Sequence, residues 1–112
     1  MLVTMTRRAV PLAAAAMLAL GPVAPAVAAS DAVTIDNFAF APTTLTVAPG
    51  AKITWANRDG EPHTVMSADG GMTFKSPALD TGDSYSFTFD KPGSYKYFCS
   101  LHPHMVGTIV VK

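Results

Sequence analysis

After Ser30 no stretch of useful length carries its apolar residues at helical spacing. Proline, glycine and polar turns cut the chain into short runs. Val33-Thr34-Ile35 leads to Phe38-Ala39-Phe40, and Pro42 interrupts before Leu45-Thr46-Val47. Pro49-Gly50 marks a turn, after which Lys52 to Asn57 alternates, with Ile53 and Trp55 on one face. Arg58-Asp59-Gly60 signals a loop, and His63-Thr64-Val65-Met66 reads as the next strand. Residues 67–82 are polar and turn-rich, with Gly70-Gly71 and Pro77 as breakers. Ser84 to Phe89 alternates strictly and places Tyr85, Phe87 and Phe89 on one side. Asp90-Lys91-Pro92-Gly93 then turns the chain into a run ending at Cys99, and Gly107 to Val111 closes it as an apolar strand. Seven or eight such strands predict an all-β fold, a two-sheet antiparallel sandwich.

The first 28 residues stand apart from this pattern. Arg7 and Arg8 precede an apolar run from Ala9 to Leu20 that is too short to span a bilayer. Ala26-Val27-Ala28 then supplies the small residues of a signal-peptidase site. The reading is a cleaved secretory signal peptide at 1–28, a single domain at 29–112 and a periplasmic location. Six basic residues then face eight acidic ones in the mature part, which excludes a basic nucleic-acid binder and a polybasic membrane patch. A domain this small has a thin core, and its single cysteine cannot form an internal disulfide. A bound metal would add stability by preferring the folded state.

That cysteine begins the most informative stretch of the chain. Cys99 is followed by His102 and then Met105, with two residues in each gap. A thiolate, an imidazole and a thioether on one tight loop form a soft donor set that lacks a second imidazole. His63, just after Pro62, offers it. Both histidine and cysteine fall near strand ends, where a sandwich can bring them to one pole. Two histidines, a cysteine and a weak axial methionine are the ligands of a blue-copper electron-transfer site. The metal-site candidates are therefore His63, Cys99, His102 and Met105, holding one type 1 copper ion.

Plainer roles suit the other soft residues. His104 reads as an exposed loop residue, Met66 and Met72 as gap-filling methionines, and Trp55 as core. Tyr97-Phe98-Cys99 matches the Tyr-x-Cys corner of an immunoglobulin domain, but the upstream cysteine such a domain needs is missing. A cysteine nucleophile is a weak alternative, because His102 is too near on the same loop to serve naturally as its base. A structural zinc site prefers more thiolates or histidines and no methionine.

The residues from Ser30 to Lys112 resemble a cupredoxin, specifically the plastocyanin–pseudoazurin–amicyanin group. Pro62-His63 matches the first ligand histidine, and the run Tyr97-Phe98-Cys99-Ser100-Leu101-His102-Pro103-His104-Met105 matches the ligand loop. The two-residue gap between His102 and Met105 is the short spacing of amicyanin. The resemblance implies a Greek-key sandwich with copper near one pole. It also implies electron exchange through His102, inside an apolar patch rimmed by Pro62, Leu101 and Pro103. Two positions depart from the pattern. Thr64 stands where an asparagine often ties the ligand loop, and His104 where amicyanin has an apolar aromatic. With Glu61, these make the docking surface more polar. The expected role is a monomeric, non-enzymatic carrier of single electrons between redox partner proteins, a donor dehydrogenase or a cytochrome acceptor. The rival is copper storage, delivery or tolerance.

Overall fold

A computed structural model describes residues 30–112; the expected leader at 1–28 lies outside the described residues. Eight strands follow in order: β1 Ser30–Asp36, β2 Ala39–Ala41, β3 Thr44–Val47, β4 Ala51–Asn57, β5 Met66–Ser67, β6 Ser84–Phe89, β7 Gly93–Phe98 and β8 Val106–Val111. They form two four-stranded sheets, ordered β2-β1-β4-β6 and β3-β8-β7-β5. The all-β sandwich is as expected, but its sheets are mixed. β1 runs parallel to β4, and β3 runs parallel to β8. After the β1–β2 hairpin the chain crosses to the other sheet as β3 and returns as β4, alongside β1. A strand re-entering a sheet by such a crossover is free to pair in parallel, which hairpin connections alone cannot produce.

Period-two alternation accounts for the packing. On β4, Ala51, Ile53, Trp55 and Asn57 face inward, and β8 turns Gly107, Ile109 and Val111 inward. The centre is aromatic. Trp55 stacks on Phe74 with ring centroids 5.6 Å apart and meets Tyr97 edge-on at 5.4 Å. Each large apolar side chain buried here contributes roughly 1.5–3 kcal/mol. Phe74 and Leu79 lie in the stretch read as loop, yet both are buried. The bridges His63↔Leu79 and Met66↔Lys75 fold that stretch back across the sandwich. Of the predicted strand at His63 to Met66 only Met66 falls in a strand, β5, while His63 is held by an isolated bridge to Leu79.

Tyr97 lies over the backbone of its cross-strand partner Gly107. A Cβ on Gly107 would come within 2.4 Å of the Tyr97 ring and hydroxyl. Burial pushes the Tyr97 hydroxyl up to about 12 against the opposing influence of the Trp55 indole N–H, although neither polar atom completes a hydrogen bond of good geometry. The ring has little room to retreat. Gly107→Ala is expected to destabilise the protein by about 1–3 kcal/mol, the usual cost of overpacking, measured as a lower urea midpoint at unchanged slope.

The sandwich positions the site by ending several strands at one pole. Ile35↔Asn57 is the last pair of β1 and β4, and Phe98↔Val106 the last of β7 and β8. Beyond these pairs lie the β1–β2 turn, the loop leading to His63, and the loop from Cys99 to Met105.

Candidate metal centre

The spacing between Cys99 and Met105 has a direct backbone explanation. The amide of His102 donates to the carbonyl of Cys99 at 3.2 Å, and that of Met105 to the carbonyl of His102 at 2.9 Å. Each two-residue gap is therefore one tight turn. The Cys99 amide donates to the Met105 carbonyl at 3.1 Å and closes the loop where the β7–β8 ladder ends. Cys99 continues the inward row of Tyr95 and Tyr97 and is fully buried. Met105 is also buried, His102 is half-buried, and His104 is exposed, as its plainer reading anticipates.

His63 reaches this loop from a segment pinned at several points. Its amide donates to the Leu79 carbonyl at 3.1 Å and its carbonyl accepts from the Leu79 amide at 2.7 Å. Buried Asn57 ties the loop that precedes it. Its side-chain amide donates to the carbonyls of Glu61 and Leu79, and its side-chain oxygen accepts from the Asp59 amide. A buried amide with its donors and acceptor all used rigidifies its surroundings.

Three donor atoms converge at the pole. Cys99 Sγ lies 3.7 Å from His63 Nδ1 and 3.7 Å from His102 Nδ1. The donor atoms of the three residues lie within 4.8 Å of one another. The arrangement passes a simple fit test. With metal–nitrogen bonds of about 2.0 Å and a metal–sulfur bond of about 2.3 Å, as for zinc, trigonal angles separate sulfur from nitrogen by about 3.7 Å. The residues present fit a three-coordinate soft-metal centre, with buried Met105 beside it on the same loop.

The sulfur is prepared to be a thiolate. Burial alone would push the Cys99 thiol up. Hydrogen bonds from the Thr64 amide, the two imidazoles and the Thr64 hydroxyl outweigh it and lower the thiol from 9.0 to about 6. The amide contact is 3.3 Å. Thr64 also takes over the tie that the resemblance assigns to asparagine. Its hydroxyl accepts from the Ser100 amide at 2.6 Å and lies 2.7 Å from the Ser100 hydroxyl. The shorter side chain thus bridges the segment of His63 to the ligand loop.

Two neighbours escaped the sequence reading. Asp59 Oδ2 lies 2.8 Å from His63 Nε2, the ring nitrogen facing away from Cys99. The Phe38 amide is the largest influence holding the Asp59 carboxyl below its ordinary value; the cost of desolvation opposes it, and His63 and the Asn37 amide add to the lowering. Phe38, expected within a strand, instead occupies the β1–β2 turn. Its ring meets His63 and His102 edge-to-face, at 5.2 and 5.0 Å between centroids. The Asp59–x–x–x–His63 spacing was the only available sequence signal for the first. For Phe38 there was none. The apolar groove beside His102 is lined by Phe38, Leu101, Pro103, His104 and Met105. Pro62 is exposed and does not line this groove, whereas Phe38 does.

Two sheets that gather two imidazoles and a buried thiolate at one pole define a cupredoxin, a class whose cofactor is copper. Residues 27–112 match the copper binding proteins of the plastocyanin/azurin family, and the chain belongs to that family. It is 36% identical over 103 residues to amicyanin-alpha of Methylorubrum extorquens, covering 89% of this chain and 87% of that one. It is 34% identical over 96 residues to amicyanin of Paracoccus denitrificans, covering 81% and 73% of the two chains. Among solved structures, a purple cupredoxin from Nitrosopumilus maritimus superposes with a TM-score of 0.68 at 34% identity, covering 72% of this chain and 98% of that one. Among the described residues, no helix is long and apolar enough to cross a membrane.

Proposed function

We propose that this protein shuttles single electrons between redox partners through one copper ion held by His63, Cys99 and His102, with Met105 as a weak axial ligand. The observation that carries this reading is the pair of equal 3.7 Å separations between Cys99 Sγ and the two Nδ1 atoms, built into a buried framework. Bound copper supplies the one-electron Cu(II)/Cu(I) couple. The protein's residues supply rigidity: the two turns of the ligand loop, the His63–Leu79 bridge and the Thr64–Ser100 tie limit how far the donors move. His102, half-buried beside the groove, is the exit toward a partner. That partner is a donor dehydrogenase or a cytochrome acceptor, docking on the groove of Phe38, Leu101, Pro103 and His104. The mature domain is residues 29–112, a monomer released in the periplasm after cleavage of a signal peptide at 1–28.

The buried thiolate and methionine speak against storage or delivery, where ligands must be accessible for transfer. Voltammetry of the copper-loaded protein is the test. The expected result is a reversible one-electron couple with the metal retained over repeated cycles. Loss of copper on reduction would overturn the carrier reading and favour delivery.

A further inference from the structure

The β1–β2 turn contains a conformation that its sequence does not favour. Asn37 and Phe38 both have φ of 55°, the left-handed values of a tight two-residue hairpin turn. Asparagine tolerates this region, but a bulky aromatic rarely enters it, and turns of this type prefer glycine at the second position. A residue held this way is strained and persists only where its surroundings impose it. Here the imposing group is one carboxylate, 21 residues away in the chain. Asp59 Oδ1 accepts the Asn37 amide at 2.9 Å, and Oδ2 accepts the Phe38 amide at 2.8 Å. The same Oδ2 lies 2.8 Å from His63 Nε2. Asp59 is itself anchored, its amide donating to Asn57 Oδ1 at 2.9 Å.

We propose that Asp59 is a positioning residue of the metal centre: its carboxylate holds a proton on His63 Nε2, so that Nδ1 is the nitrogen turned to the metal, and, through the turn amides, it holds Phe38 across both ligand imidazoles. The first effect follows from donor bookkeeping. An ionised carboxylate only accepts, so Nε2 must carry a proton, and Nδ1, the nitrogen facing Cys99, is the one left to bind the metal. The second follows from the edge-to-face contacts of Phe38, whose one ring meets both His63 and His102. Phe38 is still 47% exposed, so its outer face remains part of the groove. The carboxylate therefore links the geometry of the buried ligand to the shape of the surface over it.

The inference rests on His63 being a copper ligand, and the test separates the two claims. Asp59→Asn, Asp59→Ala and Phe38→Gly would be compared with the parent protein, together with the double variant Asp59→Ala/Phe38→Gly. In the parent without copper, a slowly exchanging His63 Nε2–H is expected by NMR, and it should disappear in Asp59→Ala. With copper, Asp59→Asn and Asp59→Ala are expected to weaken metal affinity about 10–100-fold, as loss of a ligand's hydrogen-bond partner does. The reduction potential should rise, because a less basic imidazole stabilises Cu(II) less. In the Phe38→Gly background, glycine adopts the turn unaided, so Asp59→Ala should lose less stability while its affinity defect remains. Blue colour in all four variants with unchanged potential, affinity and His63 proton would overturn the role of Asp59. Absence of colour in the parent would instead overturn the copper reading itself. An affinity defect abolished by Phe38→Gly would also count against the proposal, by assigning the whole effect to the turn.

Discussion

Replacing Cys99 by alanine is expected to remove the intense visible thiolate-to-copper band completely, leaving at most the pale absorption of an ordinary Cu(II) complex. The band requires a sulfur anion bonded to the metal, and Cys99 is the only cysteine in the chain. No neighbouring group can substitute. His63 and His102 bring only imidazole nitrogens, and the Thr64 hydroxyl, 3.7 Å from the sulfur, brings only oxygen. Met105→Leu provides the contrast. A weak axial ligand adjusts the couple without creating the band, so this variant should stay coloured at an altered potential. EPR and visible spectra of the three proteins after Cu(II) addition decide the matter. Narrow copper hyperfine splitting in the parent and its loss in Cys99→Ala support the ligand set. Intense colour surviving in Cys99→Ala would mean the metal sits elsewhere.

Copper removal is expected to leave a protein whose stability rises with pH between about 6 and 9, by up to about 4 kcal/mol. The cause is the Cys99 thiol. Burial pushes its pKa up, but the hydrogen bonds from Thr64, His63 and His102 outweigh this and lower it from 9.0 to about 6. The sign follows from the protons each state holds. Across this window the folded protein carries a thiolate while the unfolded chain still holds the proton. The unfolded state therefore binds more protons, and raising the pH favours the folded one. The contribution is fully present above the unfolded value and is lost as pH falls through about 6. Urea unfolding of copper-free protein across this window, alongside Cys99→Ala, measures the effect. The parent should show the slope and the alanine variant should lack it. Equal pH dependence in both would show that the thiolate contributes nothing. The two results are linked, because the hydrogen bonds that stabilise the free thiolate also prepare it to bind the metal without first losing a proton at neutral pH.

Much of this was legible in the chain itself. The alternation of β4, β6 and β8 and the turn residues between them determine a two-layer β fold, because each run is too short and too one-sided to be buried any other way. Cys99, His102 and Met105 are similarly self-declared. Each gap spans one hydrogen-bonded turn, and a turn is a local structure whose geometry depends on the few residues in it. The inward direction of Cys99 also follows locally, two residues on from Tyr97 in a strand of period two. Other features lay beyond local reading. The parallel pairing of β1 with β4 and of β3 with β8 depends on which sheet the chain enters after each crossover, and no single run encodes that. The core roles of Phe74 and Leu79 depend on a polar loop folding back onto His63 and Met66.

The site divides along the same line. Residue chemistry and spacing determined the soft donor set, since softness belongs to the side chain and spacing to the turn. Only the tertiary structure decided that His63 stands 3.7 Å from a sulfur 36 residues away, and that Thr64 does the tying expected of asparagine. It also decided that Asp59 lies behind His63 and holds the turn carrying Phe38. These contacts join segments far apart in sequence. Their distances are set by how the two sheets pack and where their strands end, and a pattern of residue types carries no measure of that.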